Sequence, residues 1–349
     1  MFRMCGLRVA RALRLVAVAA VLLAAMSACS GRSGAGQGDP TKVNLSSVTL
    51  KVGQTGWAMD QAALQVAGLD HTPYAVQWPV FPGGDKQLQA LQANALDVTE
   101  SSETPPVFAA GAGHPKFAIG AVERQNTLLQ EVVVPGGSPI TSMAALKGKR
   151  VGYVQNTTAQ YFLDKLLERE GLHWSDILPA PLSPNDGVTA LQSGSIDALA
   201  SYGDSIITAH QTGARTIGDG KDILSGNFPW EVSTTALGNA SQRAAIVDLL
   251  ARINRARAFI RNGHEQEYAQ RWSAATHEPF SEALDQLRSG EAQIPTTIGP
   301  TNPSAVASEQ NVADTFAGLK VLPGRVDASS LFTDTLNADL QKALAAPAN

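Results

Sequence analysis

Ala90-Leu91-Gln92-Ala93-Asn94-Ala95-Leu96-Asp97-Val98 returns one hundred residues later as Ala190-Leu191-Gln192-Ser193-Gly194-Ser195-Ile196-Asp197-Ala198. Each copy reads as the last turn of a helix, a residue suited to the left-handed capping conformation (Asn94, Gly194), and a short apolar strand. Upstream, at almost the same offset, stand Lys51-Val52-Gly53 and Arg150-Val151-Gly152, each a strand running into a polar loop and a helix. A unit used twice in this way predicts two similar α/β lobes with a cleft between them, strand ends and helix starts facing inward. Function is therefore expected where the two copies face each other.

The N-terminus is a separate object. Arg3, Arg8, Arg11 and Arg14 make a positive segment, and the twelve residues from Leu15 to Met26 are an unbroken apolar run. Such a run is too short to span a bilayer and has the form of a signal peptide, expected over 1–28. Met26-Ser27-Ala28-Cys29 resembles the lipobox of bacterial lipoproteins, so Cys29 is the expected site of lipid attachment; the alternative is a plain secretory signal cleaved near Ala28. The only other cysteine, Cys5, lies inside the signal, so the mature chain is expected to hold neither an intramolecular disulfide nor a cysteine-metal site. Residues 29–47, rich in Gly and Ser, read as a flexible tether. Without the four signal arginines, 23 basic residues face 31 acidic ones, a net of about −8. That balance, with no basic run, excludes nucleic acid as a partner but not a small anion held by local donors.

Lobe I is expected over 48–131 and 232–349 and lobe II over 132–231. The chain would cross between them near Val132 to Val134 and again near Trp230 to Thr235, with Val232 to Leu237 as a return strand. From Ser241 onward the pattern is helical, with faces suited to packing on lobe I.

The strongest local inference is an anion site. Gln155-Asn156-Thr157-Thr158 lies between a strand and a helix start, where the first backbone N–H groups lack helical partners and the helix dipole favours negative charge. Thr157 with Gln160 also has capping-box spacing, and capping and ligand binding are compatible. Gln54-Thr55-Gly56-Trp57 holds the equivalent place in the first lobe. Ser101 and Ser201 end the repeated strands, so they and their neighbours Ser102, Glu103, Tyr202 and Asp204 are candidates to line the cleft. Trp57, Trp78, Tyr202 and Trp230, at or near strand ends, could wall an apolar ligand tail or pack in the core; Trp174 and Trp272 read as packing. Catalytic signatures are missing: there is no G-x-S-x-G, H-E-x-x-H, P-loop or Rossmann glycine pattern. The six histidines are scattered, and His264-Glu265 and His277-Glu278 lack a third ligand at helical spacing. A non-enzyme without cofactor or metal is expected.

These residues also resemble a known family. Ser101-Ser102-Glu103-Thr104-Pro105-Pro106-Val107-Phe108-Ala109 is similar to the T-G-E-A-P-P-[IV]-F-A stretch of aliphatic-sulfonate-binding proteins, the solute receptors of ABC importers in the nitrate/sulfonate/taurine group. Ser138-Pro139-Ile140 with Leu146-Lys147-Gly148-Lys149-Arg150-Val151, and Gly194-Ser195-Ile196-Asp197-Ala198, resemble further segments of that family. The resemblance implies a type II periplasmic-binding fold, two lobes on a two-crossing hinge. It implies a monomeric, lipid-anchored receptor on the outer face of the cell membrane (or in the periplasm) that passes an alkane- or arylsulfonate to a permease and its ATPase for sulfur uptake. By the same resemblance Thr157 and Thr158 receive the sulfonate, and Ser101 to Glu103 contribute from the opposite lobe. The family's W-D-P-[FY] is here Tyr202-Gly203-Asp204-Ser205, and Ser102 replaces a Gly. These departures leave taurine, nitrate or a pyrimidine vitamin precursor as alternative ligands. An exported enzyme, or a receptor serving a sensor partner, are the alternatives from other classes.

Overall fold

The strand that opens at Thr49 precedes the helix that opens at Gly84 by 35 residues, and the strand at Arg150 precedes the helix at Pro184 by 34. The duplicated segment thus sits at the same point of two like-built lobes. The computed structural model describes residues 43–346. The expected signal peptide, Cys29 and most of the tether lie outside the described residues. The end of the expected tether is structured: Leu45–Ser47 forms a 3-10 turn, Leu45 packs on the lobe I core, and the Asn44 N–H donates to Ser241 Oγ at 2.9 Å.

The first pass of the chain makes β1 (Thr49–Thr55), α1 (Met59–Val66), β2 (Ala75–Gln77), β3 (Val80–Phe81), α2 (Gly84–Gln92), β4 (Val98–Glu100), α3 (Thr104–Gly111) and β5 (Phe117–Arg124). The second makes β6 (Gln130–Val134), β7 (Arg150–Tyr153), α4 (Thr158–Arg169), β8 (Leu178–Pro181), α5 (Pro184–Gln192), β9 (Ala198–Tyr202), α6 (Asp204–Gln211) and β10 (Arg215–Asp219). The chain then returns through β11 (Asn227–Ser233), α7 (Thr234–Gly238), α8 (Ala240–Phe259), α9 (Glu265–Thr276), α10 (Phe280–Gln293), β12 (Thr297–Gly299), α11 (Pro303–Gly318) and α12 (Asn337–Ala345). No helix among the described residues is long and apolar enough to cross a membrane.

The five strands of one sheet recur in the same order in the other, which has two more, β3 and β12. One runs β12-β5-β11-β4-β1-β2, with β3 paired to β1; the other runs β10-β6-β9-β7-β8. In each, one antiparallel strand lies beside a set of three parallel strands: β11 beside β4, β6 beside β9. The sequence repeat is reproduced at the level of single bonds. Asp97 Oδ2 accepts from the Lys51 N–H and Asp197 Oδ2 from the Arg150 N–H, both at 2.8 Å. Asn94 (φ 58°) and Gly194 (φ 71°) both take the left-handed conformation that ends the helix. A Cβ at Gly53 would meet Leu96, and one at Gly152 would meet Ile196, each closer than 3 Å. The repeat therefore encodes the same strand-to-turn fit twice.

The expected crossing residues lie within strands. Val132 to Val134 sit inside β6 with no exposed surface, and Trp230 to Ser233 sit inside β11. The chain passes between the two sheets at 125–129 and 220–226. The return strand starts earlier than expected and stops sooner, because Ser233 caps α7 by accepting from the Ala236 N–H at 3.1 Å. Pro229 obscures it: a proline, which cannot donate to a ladder, stands in a strand paired on both sides, one residue before a register shift at Trp230/Glu231. Of the C-terminal helices, α8 packs against α1 and α12, and α11 touches both α3 and α4. One apolar cluster joins the lobes: Tyr161 of α4 packs with Val107 of α3 and Phe316 of α11.

Candidate functional site

A cavity of about 230 Å³ opens between the lobes where the repeated strands end. Part of its wall is polar: Gly84, Ser101, Ser102, Thr157, Thr158 and Tyr202. Another part is aromatic. The Trp57 ring lies 5.7 Å from Tyr268 and 6.2 Å from Trp272, centroid to centroid, with Met59 and Leu287 also on the cavity.

The polar wall is built from helix starts of opposite lobes. Lys86 and Gln87 N–H groups donate to Gly83 O, so the first N–H groups of α2 are left without helical acceptors, as they must be at any helix start. Tyr202, from the end of β9, reaches across to this point. Its hydroxyl is buried with no hydrogen-bond partner in the described structure. A Cβ at Gly83 would stand 2.7 Å from that oxygen, so only glycine lets the phenol approach. Burial, reinforced by the Asp85 carboxylate and partly offset by the nearby Thr157 side chain, pushes the phenol far above its ordinary range, and it keeps its proton as a donor.

α4 meets the same wall through Thr157 and Thr158. Thr157 is committed to the helix: its hydroxyl donates to Val154 O at 2.8 Å and accepts from the Ala159 N–H at 3.2 Å. Thr158 donates to Gln130 Oε1 at 3.1 Å and can rotate toward a ligand. The two threonines thus do different work. Thr157→Ala is expected to cost about 1 kcal/mol of stability through the lost cap, read as a lowered urea midpoint. Thr158→Ala is expected to leave that midpoint in place and weaken ligand binding.

The other expected site residues divide by position. Thr55, Trp57 and Asp204 are on the cavity wall; the Asp204 carboxylate lies against Gly56 across the cleft and has no side-chain partner among the described residues. Burial pushes its pKa up. Gln54 is turned into the core, where its amide donates to Asp60 Oδ2 at 3.0 Å. Glu103 points away from the cavity and accepts from Ser225 Oγ at 2.7 Å and Asn227 Nδ2 at 3.0 Å, tying the start of α3 to the second crossing. Ser201 has no exposed surface and pairs with Ser205 at 2.7 Å. Gln155 is exposed off the cavity wall, and Asn156 (φ 61°) uses its N–H to donate to Gln160 Oε1. Trp230 is fully buried in the lobe I core, its indole N–H donating to Glu123 Oε2 at 3.1 Å.

Several wall residues escape the sequence reading. Tyr268 and Trp272 stand four apart on α9, which puts both rings on one helix face; that spacing is the available signal. Gln125, Asn126, Leu128 and Leu129 line the cavity from the first crossing, where no periodicity marks them. Arg257 is on the wall but engaged, bonding Asp60 at 2.6 Å and the Tyr268 hydroxyl at 2.7 Å. No group of three or more His, Cys, Asp or Glu among the described residues is arranged to hold a metal.

A family model described as NMT1/THI5 like matches residues 80–246. The putative aliphatic sulfonates-binding protein of Escherichia coli (strain K12) is 31% identical over 256 residues, covering 72% of this chain and 77% of that protein. The chain belongs to the aliphatic sulfonate-binding protein family. Its fold is that of the type II periplasmic binding proteins. The alkanesulfonate-binding protein SsuA from Xanthomonas axonopodis pv. citri, bound to MOPS, superposes with a TM-score of 0.74 at 21% identity, over 84% of this chain and 99% of that one. The desulfurization enzyme DSZB shares the fold at 18% identity and a TM-score of 0.58, over 84% of this chain and 99% of the other. The fold by itself therefore does not separate binding from catalysis.

Proposed function

We propose that this protein is the solute-binding component of an ABC importer. It captures a small sulfonate between its lobes and delivers it to a membrane permease and ATPase for sulfur uptake, as an exported monomer anchored through a lipid on Cys29. The observation that carries this reading is the buried, unpartnered Tyr202 hydroxyl set where α2 and α4 begin on opposite lobes. Family membership supports it.

A sulfonate is ionised throughout the physiological range and offers oxygen acceptors with no proton. A wall of O–H and N–H donors satisfies it without desolvating a guanidinium. Charge-assisted hydrogen bonds contribute about 1.5–3 kcal/mol each, so a few suffice for micromolar affinity. The Trp57–Tyr268–Trp272 surface receives the tail, and the cavity is larger than a methyl or ethyl group needs.

Asp204 supports a second reading. A carboxylate on the wall without a partner repels a plain anion and attracts an ammonium, which favours an aminosulfonate such as taurine. Asp204→Asn separates the two: it is expected to weaken taurine binding about tenfold by removing the counter-charge and to leave or improve binding of a plain alkanesulfonate. Calorimetric titration of ligand-stripped protein with a short alkanesulfonate, an arylsulfonate, taurine and nitrate tests the function itself. Micromolar binding confined to sulfonates supports it; silence toward all sulfonates, or turnover of one, overturns it. Cys29→Ser is expected to move the protein from the membrane fraction to the soluble fraction.

A further inference from the structure

Ser101 has one proton and two claims on it. Ser101 lines the cavity, and its Oγ lies 2.5 Å from Glu231 Oε1 and 3.1 Å from Ser102 O. Glu231, on β11, has no exposed surface, and its second oxygen has no partner. An ionised carboxylate only accepts, so it would hold the Ser101 proton and leave lone pairs facing a bound anion. A protonated Glu231 reverses the chain: the acid donates to Ser101 Oγ, and Ser101 donates into the cleft.

We propose that Glu231 is a positioning residue which, kept protonated in the core, donates to Ser101 and so makes Ser101 a donor to the bound anion. The proposal rests on the sulfonate reading of the cleft.

The surroundings of Glu231 are consistently acidic. Glu309 of α11 has no exposed surface and both its oxygens lack partners. Glu100 of β4 and Glu103 at the start of α3 are the other acids on this side. Glu123 of β5 is bonded to Trp230, and on α2 Asp85 pairs with Lys86 at 3.3 Å. Arg257 offsets Glu100 and Arg124 offsets Glu103, but neither acts on Glu231. Burial pushes Glu231 and Glu309 well above the usual carboxylate range, and the neighbouring acids push Glu309 further the same way. The sign follows: the donor state exists below the raised pKa of Glu231 and is lost as pH rises through it, so anion affinity falls on the alkaline side.

Two substitutions and one spectrum test this. Glu231→Leu is expected to weaken binding of methanesulfonate at least tenfold at neutral pH in a protein that still melts cooperatively. Glu231→Gln, whose amide can donate at every pH, is expected to recover most of that loss and to flatten the alkaline fall. Infrared difference spectra are expected to show a neutral-acid carbonyl band in the wild type that shifts on adding methanesulfonate and is missing in Glu231→Gln. If Glu231→Gln instead removes an ionised-carboxylate band, or recovers none of the lost affinity, the proposal is wrong. Failure of the sulfonate reading looks different: the wild type would not bind methanesulfonate, with the neutral-acid band still present.

Discussion

Replacing Tyr202 with Phe is expected to weaken sulfonate binding ten- to a hundredfold without lowering thermal stability. The phenol oxygen is buried and makes no bond in the described structure, so its removal takes away no contact that holds the fold. A buried hydroxyl without a partner is a net cost to the unliganded protein. The melting temperature should therefore stay or rise. With an anion bound, the same hydroxyl becomes a charge-assisted donor, contributing about 1.5–3 kcal/mol, which is the expected loss. Calorimetric titration beside a thermal scan reads both halves. Equal affinity in Tyr202→Phe would mean that the anion sits elsewhere in the cavity.

Trp230→Ala is expected to act in the opposite way, destabilising the fold by about 3–5 kcal/mol. The indole is fully buried among Leu50, Val98, Val232 and Ile246, so truncation opens a void in the lobe I core. It also strips Glu123, itself buried, of the indole donor. Urea unfolding measures the loss, and the folded fraction should bind ligand as the wild type does. Lost affinity with unchanged stability would place Trp230 in the cleft instead of the core.

The contrast between these two residues shows what a sequence can convey. In the sequence both stand near expected strand ends, and both read equally well as wall or core. The wall requires knowledge of which face of the sheet meets the other lobe, and single-residue context does not contain that. The duplicated segment is different. Asn94 and Gly194 are set by local backbone geometry, and the repetition of the residues around them, Asp97 and Asp197 included, makes two lobes with a shared strand order legible.

Thr157 and Thr158 illustrate partial legibility. Their place at a helix start is local and readable, but the division of labour between them depends on Val154 O and Gln130 Oε1, the second of which comes from a strand 28 residues earlier. The motif around Glu103 points it toward the cleft, yet it is bonded to the second crossing, a contact 122 residues away in sequence. The aromatic surface of α9 is hidden for a related reason. Helical patterning between Arg243 and Thr276 says that these helices pack on lobe I, but not that Tyr268 and Trp272 land beside Trp57 at the cleft.

The central claim is that the anion is held where α2 and α4 begin, against the Tyr202 hydroxyl. A crystal structure of the protein with 2-bromoethanesulfonate, the bromine located by anomalous scattering, tests it most directly. Sulfonate oxygens are expected within hydrogen-bond distance of Tyr202 Oη and the Thr158 N–H, with bromine directed toward Trp57. A sulfonate seated instead beside Arg257, with Tyr202 Oη still unpartnered, would contradict it.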